Sequence, residues 1–246
     1  MYKRERNLYQ PQSKEPFALS RTKIENFIKC PRCFYLDCRL GISQPPGFPF
    51  SLNNAVDLLL KKEFDIHRTS LNPYPLEERY GLKLKPLDDS RIEDWRNNRM
   101  GIRYLHKPTN LEIFGAIDDV WVDDKGMIYI VDFKSTSSQN EITLNEEWKN
   151  DYKRQMEIYQ WLFRKNGFNV SNTGYFVYCN GKTDKEAFDK KLEFDISVLP
   201  YEGNDSWIEP TLLEIKKVLD SDKIPEANYQ CNYCSYYNLR ANEEKK

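Results

Sequence analysis

The sequence lacks several features that would assign a protein to a class at once. No apolar run approaches the roughly 20 residues that a membrane-spanning helix needs, which excludes a helical membrane protein. No hydrophobic signal segment opens the chain, so we expect a cytoplasmic protein with reduced cysteines. The net charge is only −1, so the chain has no overall basic excess for binding polyanions. No internal repeats or low-complexity tracts are present.

The chain does contain enough hydrophobic residues to form a sizeable core. Hydrophobic residues make up 39% and aromatic residues 14% of its 246 positions, which predicts a folded protein. We expect a mobile polar arm over residues 1–18 and one domain over 19–240, with its core at about 50–200. Residues 72–110 have prolines, charges and weak periodicity, which predicts a helical or irregular insertion. The expected helices are one capped by Ser20 and others near 52–66, 146–166 and 207–219, with strands near 174–179 and 192–196.

Two runs of the sequence predict a β-hairpin that gathers acidic residues. The runs, residues 115–118 and 128–134, flank the turn Asp124-Lys125-Gly126, and three-residue hairpin loops favour a final glycine. That loop would put Asp118 directly opposite Asp132. Like charges paired across strands are destabilising, and a bound cation would remove the repulsion. Because side chains alternate along a strand, we expect Lys134 on the same face as Asp132.

The chemistry of these groups suits phosphodiester hydrolysis. Carboxylates hold hard divalent cations such as Mg²⁺, and a lysine ammonium stabilises charge on phosphate oxygens. The alternative is an ordinary polar turn with solvated carboxylates. The apolar run Ile128–Val131 leads directly into Asp132, however, and a carboxylate ending a buried strand needs a partner or a metal.

A helix after the hairpin supplies a second polar stripe. Gln155 and Tyr159 are four residues apart and Tyr152 precedes them by three, so the three lie on one helical face. This stripe could contact both substrate and metal site, or it could be a half-buried amphipathic face. Basic candidates for phosphate contacts, or simply parts of a surface of mixed charge, are Lys149, Lys153, Arg154, Arg164 and Lys165.

Six cysteines are present, and four of them form two C-x-x-C pairs near opposite ends of the chain. The pairs are Cys30/Cys33 and Cys231/Cys234. Paired thiolates at this spacing suit zinc or an iron–sulfur cluster, which would clip the first helix to the C-terminal segment. For the remaining cysteines, at positions 38 and 179, we expect ordinary burial.

Together these motifs resemble the RecB-like branch of the PD-(D/E)XK nuclease superfamily and are similar to CRISPR-associated RecB-like exonucleases with a C-terminal cysteine cluster. The resemblance extends over about residues 19–240. The matching residues are Asp118 of Gly-x-Ile-Asp, the triplet Asp132-Phe133-Lys134, and Gln155 with Tyr159; segments 20–31 and 231–234 match the opening helix and the closing cysteines. The resemblance implies an α/β fold: a restriction-endonuclease-like αβββαβ core with a mixed sheet flanked by helices, plus a cysteine-clipped lobe from residues 20–42 and 222–240.

The resemblance also implies roles for residues. Asp118, Asp132 and the Phe133 carbonyl would bind Mg²⁺ or Mn²⁺, Lys134 would stabilise the transition state, and Gln155 and Tyr159 would order the site.

The sequence departs from the pattern of this branch at two places. The histidine expected before the hairpin is absent, and its role falls to Asp57 or, as a substitute, Glu63. A [4Fe–4S] member of this branch commonly has one N-terminal and three C-terminal cysteines, whereas here they are divided two and two. The cysteine site is therefore expected to be structural, with [4Fe–4S] and Zn²⁺ both open.

The expected function is a metal-dependent DNA nuclease that hydrolyses phosphodiester bonds with metal-activated water, as an exonuclease or end-processing enzyme. Single strands or DNA ends are the expected substrate, and protein partners in a DNA-processing complex are a further expectation. One alternative is a nuclease-fold protein that has lost catalysis and serves in nucleic-acid binding or assembly. Another is a structural protein whose sole site is the cysteine cluster.

Overall fold

The structure is a computed structural model that describes residues 3–47, 51–69 and 75–246. The helices are, in chain order, α1 (Arg21–Lys29), α2 (Pro31–Leu40), α3 (Ser51–Arg68), α4 (Leu76–Tyr80), α5 (Ile92–Arg96), α6 (Asn150–Lys165), α7 (Ile208–Asp220) and α8 (Asn232–Glu243). The strands are β1 (Phe17–Ser20), β2 (Lys85–Pro86), β3 (Ile102–His106), β4 (Leu111–Gly115), β5 (Asp119–Val122), β6 (Ile128–Thr136), β7 (Thr173–Gly181) and β8 (Phe194–Glu202). A 3₁₀ turn, Glu147–Lys149, precedes α6.

The chain divides into two compact units. The first unit consists of Met1–Phe48, Arg103–Phe114 and Ser206–Lys246, and it takes in both halves of the expected cysteine-clipped lobe. The second unit consists of Pro49–Ile102 and Gly115–Asp205.

The second unit contains a five-stranded mixed sheet in the order β2-β5-β6-β7-β8. The β6 and β7 strands are parallel, and the other neighbouring pairs are antiparallel. Parallel neighbours need a long crossover, and α6 provides it. Along the chain, α3, β2, β5, β6, α6 and β7 give the order αβββαβ. The predicted restriction-endonuclease-like α/β class is thus confirmed.

The hairpin between β5 and β6 has the predicted three-residue loop. The Asp123 N–H donates to the Met127 carbonyl at 3.1 Å. Gly126 ends the loop with φ +78°, a left-handed conformation that glycine adopts without strain. The ladder pairs Asp119 with Val131, so Asp118 stands one residue outside it.

Residues of β6 alternate between two helices. Val131 and Phe133 pack in a buried cluster with Leu60 and Phe64 of α3. The intervening Asp132 accepts a hydrogen bond from Gln155 of α6. The alternation therefore sends the apolar residues to one helix and the acidic residue to the other.

The expected insertion at 72–110 contains several short helices and strands. Its positions 72–74 lie outside the described residues. It contributes β2 and β3, one to each sheet. β2 has two residues, which is too short for any periodicity to reveal. The predicted edge strand at 192–196 corresponds to β8, which is longer because it pairs with β7 at every position from Phe194 to Glu202.

The first unit has a three-stranded sheet in the order β1-β4-β3, with β1 and β4 parallel. Ser20 caps α1 as predicted, accepting a hydrogen bond from the Lys23 N–H at 3.3 Å. In the segment expected as a mobile arm, Tyr9 is buried and its hydroxyl donates to Asp220 at 2.6 Å. These contacts hold part of that segment against the first unit. The polar, proline-containing composition of the segment did not indicate that Tyr9 would be buried.

No helix among the described residues is both long and apolar enough to cross a membrane.

Candidate functional site

A cleft of about 230 Å³ in the second unit brings together several of the predicted residues, while Asp132, Gln155 and Tyr159 do not line it. Its walls come from α3, the bend at Asp118, the end of β6 and the start of α6. Asp57, Asp118, Phe133, Lys134 and Tyr152 all line it.

Asp118 is held from three directions. Its Oδ2 accepts the Phe133 N–H at 2.9 Å, and its Oδ1 lies 3.0 Å from the Lys61 ammonium. Its backbone carbonyl accepts the Arg96 Nε–H at 2.8 Å. Burial raises the pKa of Asp118, but Lys61, Lys134 and the Phe133 N–H outweigh burial and hold the pKa below its ordinary value. Asp118 is therefore ionised at neutral pH.

Asp132 and Lys134 form an ion pair on one face of β6, and Asp132 is 1% exposed. Gln155 Nε2 donates to Asp132 Oδ1 at 2.8 Å and lies 3.3 Å from the Tyr159 hydroxyl. Burial lowers the pKa of Lys134, but the charges of Asp132 and Asp118 raise it above its ordinary value. The polar stripe of α6 thus orients the carboxylate that neutralises the lysine.

Asp57 lines the cleft and pairs with Lys61, a lysine that the sequence analysis did not select. The Lys61 ammonium lies 2.8 Å from Asp57 Oδ2, besides its contact with Asp118. Burial and the Asp118 charge raise the pKa of Asp57. Lys61 follows Asp57 by four residues on α3, a spacing that puts both on one face and could have identified it.

Glu63, the other candidate for the third ligand, lies elsewhere on α3. It is near the Cys179 thiol, where burial and then the Glu63 charge raise the thiol pKa to about 11. Glu63 does not line the cleft.

Several of the basic residues that were candidates for phosphate contacts are engaged within the fold. Lys149 donates to the Thr143 carbonyl at 2.6 Å and pairs with Glu146 at 3.0 Å. Arg154 pairs with Asp151 at 2.8 Å, and Arg164 pairs with an aspartate of the same unit at 2.5 Å.

The oxygen donors in and beside the cleft fit a hard divalent cation. Asp57, Asp118, Asp132 and the Phe133 carbonyl offer only oxygen, the ligand type that Mg²⁺ and Mn²⁺ prefer. An ammonium close to both Asp57 and Asp118 indicates that positive charge is stabilised between them. In the described part of the chain, these carboxylates do not form a three-membered group with all ligand atoms within 4.8 Å. Asp132 is instead paired with Lys134.

The four paired cysteines lie together in the first unit, as a group of possible metal ligands. Their sulfur atoms all lie within 4.8 Å of one another. The Cys30–Cys234, Cys33–Cys231 and Cys33–Cys234 sulfur distances are 3.7, 3.6 and 3.7 Å. Cys30 and Cys231 are the N-caps of α2 and α8, so each pair opens a helix. The cluster is a group that could hold a metal ion, and the other cysteines, at 38 and 179, are buried apart from it.

Known proteins and families resemble this chain to different degrees. Six chains of solved structures match this protein. One is the crystal structure of SSO0001, which is 17% identical, with a TM-score of 0.35 and coverage of 93% of this chain and 87% of that chain. No curated protein matches the chain. The family model of the PD-(D/E)XK nuclease superfamily matches residues 51–239, which include the αβββαβ core and every residue of the cleft. On that match this chain belongs to the PD-(D/E)XK nuclease superfamily.

Proposed function

We propose that this protein is a Mg²⁺- or Mn²⁺-dependent deoxyribonuclease that hydrolyses phosphodiester bonds at DNA ends or in single strands, as an exonuclease of the RecB-like branch. The observation that carries the proposal is the hydrogen bond from the Phe133 N–H to Asp118. It holds the Asp118 carboxylate beside the Asp132–Lys134 ion pair, in a cleft open to solvent.

Asp57, Asp118, Asp132 and the Phe133 carbonyl are the residues that would hold the metal. When bound, a divalent ion lowers the pKa of water and neutralises charge on phosphate oxygens.

The side chains around these ligands have separate roles in the proposal. The Lys134 ammonium stabilises the negative charge that develops on the scissile phosphate. Gln155 keeps Asp132 oriented through its amide, and Tyr159 in turn fixes the Gln155 side chain. Arg96 holds the backbone at Asp118, so it is a positioning residue and not a catalytic one.

One observation favours a second candidate, a nuclease-fold protein without catalysis that binds nucleic acid or takes part in assembly. Lys61 lies between Asp57 and Asp118, where it neutralises carboxylates that would otherwise attract a metal. Protein partners in a DNA-processing complex and a cytoplasmic location fit either candidate.

A cleavage assay separates the two candidates. Purified protein is incubated with end-labelled single- and double-stranded DNA and Mn²⁺, in parallel with Asp132→Ala and Lys134→Ala. Asp124→Ala is the matched control, because Asp124 is an exposed aspartate in the hairpin turn. We expect loss of cleavage in the first two variants alone. Equal cleavage by Asp132→Ala and the parent would reject the site, and no cleavage by the parent would favour the second candidate.

For the cysteine cluster we infer a single zinc ion with a structural role. A tetrahedral zinc with bonds of about 2.3 Å brings its sulfur ligands to about 3.8 Å from one another. The three sulfur distances of 3.6–3.7 Å are close to that value. In a [4Fe–4S] cluster each thiolate binds a different iron atom, so its sulfur atoms lie further apart. Metal analysis with the visible absorbance spectrum tests the inference: zinc without colour supports it, and iron with visible bands would reject it.

A further inference from the structure

Trp148 is an exposed aromatic residue next to the cleft. Its residue surface is 61% exposed, while the other tryptophans of the second unit, Trp95, Trp121 and Trp161, are buried. It lies in the 3₁₀ turn directly before α6. Large apolar surfaces that remain exposed beside a site commonly mark contacts with a ligand.

A chain of ring contacts connects Trp148 to the cleft. The Trp148 and Tyr152 rings meet edge to face, with centroids 5.7 Å apart and planes at 80°. The Tyr152 ring in turn lines the cleft, and its centroid lies 4.7 Å from the Lys134 ammonium. Trp148 is therefore within about three nucleotide steps of Lys134, at the ~3.4 Å rise of a stacked strand.

The charges around Trp148 suit the face of a base rather than a phosphate. The Lys149 ammonium lies 5.0 Å from the Trp148 ring centroid but is already paired with Glu146. Glu147, the preceding residue, is exposed and repels phosphate. In the proposed reaction a phosphate lies in the cleft beside Lys134, so a neighbouring base can meet the aromatic ring.

We propose that Trp148, supported by Tyr152, stacks a nucleobase of single-stranded DNA next to the phosphate that enters the cleft. The proposal rests on the proposed nuclease function and names its substrate class. Unpaired strands present the faces of their bases, whereas a duplex keeps them stacked inside the helix. Base–aromatic stacking is tolerant of sequence, so the platform recognises the strand and not its sequence.

The test is binding of an oligothymidylate to the whole chain, with its cysteine-bound metal retained, in buffer without added Mg²⁺ or Mn²⁺, where the proposed nuclease does not cleave. Removal of a stacking ring weakens binding by about 5- to 150-fold, and for an exposed ring we expect the lower end of that range. Trp148→Ala should therefore bind about five- to tenfold more weakly. Trp148→Phe keeps a ring and should recover most of the affinity. Phe188→Ala is the matched control, because Phe188 is 71% exposed in the same unit.

Two further readouts separate stacking from a structural role. Tryptophan fluorescence should be quenched by the oligonucleotide in the parent protein and not in Trp148→Phe. The loss of binding affinity caused by Trp148→Ala should be at least threefold greater for the single strand than for a blunt duplex. Unchanged affinity in Trp148→Ala, equal losses on both substrates, or no binding by the parent would each overturn the proposal. Failure of the nuclease itself would appear separately, as absence of Mn²⁺-dependent cleavage with oligonucleotide binding intact.

Discussion

The ammonium of Lys61 lies 3.0 Å from Asp118 Oδ1, at the side of the carboxylate that faces Asp57. Burial lowers the pKa of Lys61, but the charges of Asp118 and Asp57 raise it above its ordinary value, so Lys61 is protonated at neutral pH. Lys61 therefore neutralises the repulsion between the two aspartates in the metal-free protein. A divalent cation at these carboxylates must compete with it.

Replacement of Lys61 should strengthen metal binding. Lys61→Met removes a positive charge a few ångströms from the bound cation, and two unit charges 4 Å apart interact by about 4 kcal/mol near a protein surface. Allowing for solvent, we expect Mn²⁺ affinity at least about tenfold higher, measured by calorimetry, which corresponds to about 1.4 kcal/mol. The metal-free variant should also be less stable than the parent.

Lys62→Met is the control for this comparison, since Lys62 is the exposed neighbour on the same helix. Its Mn²⁺ affinity should equal that of the parent. Weaker Mn²⁺ binding by Lys61→Met would mean that Lys61 assists the metal instead of competing with it.

Arg96 should be important for both stability and the geometry of Asp118. Its side chain is 6% exposed, and its guanidinium lies 3.4 Å from the buried Asp119 and pairs with Asp65 at 2.8 Å. Removal of one partner of a buried ion pair costs about 3–5 kcal/mol, and because Arg68 still pairs with Asp119, we expect about 3 kcal/mol for Arg96→Ala in denaturant unfolding. Lys83→Ala, whose side chain is 79% exposed, should change stability by less than about 0.5 kcal/mol.

The same ion network predicts how stability depends on pH. Burial raises the pKa of Asp65, but Arg96 and Arg68 outweigh it and hold the pKa below its ordinary value. A carboxyl with a lowered pKa in the folded state stabilises the fold fully above its unfolded pKa of about 3.9, and that contribution is lost as pH falls through the folded pKa. Asp65→Asn should be less stable at pH 7 and should lose less of its stability on acidification below pH ~4. Parallel stability curves for the variant and the parent would contradict this expectation.

The cysteine cluster should hold metal through all four thiolates. Cys231→Ser or Cys234→Ser should abolish zinc retention through purification and lower the unfolding temperature, since a structural zinc contributes directly to folding. Cys38→Ser is the control, because Cys38 is buried in the same unit but outside the cluster. Zinc content that is the same in the cluster variants and the control would reject the site.

Local rules made the hairpin predictable. Gly126 fixes a three-residue loop, the loop fixes the register, and the register brings Asp118 next to the β6 strand that carries Asp132. The polar stripe of α6 followed from helical spacing in the same way, and Gln155 does contact Asp132.

The rest of the candidate site depends on tertiary contacts, which the spacing of residues along the sequence does not reveal. Asp118 lies in a bend outside the ladder, where Arg96 and the Phe133 N–H determine the direction of its carboxylate. Lys61 is one of two adjacent lysines in the sequence, and only packing of α3 against the sheet distinguishes the one that reaches Asp118. The exposure of Trp148 could not be predicted either, because most tryptophans of the same unit are buried.

The most direct test of the central claim is a calorimetric titration of the protein with Mn²⁺, repeated on Asp118→Asn, Asp132→Asn and the turn variant Asp124→Asn. The cleft predicts saturable binding by the parent and by Asp124→Asn, with affinity at least about tenfold lower in the other two, because each loses a charged oxygen ligand. Binding that is unchanged in both Asp118→Asn and Asp132→Asn would contradict a metal site between these strands.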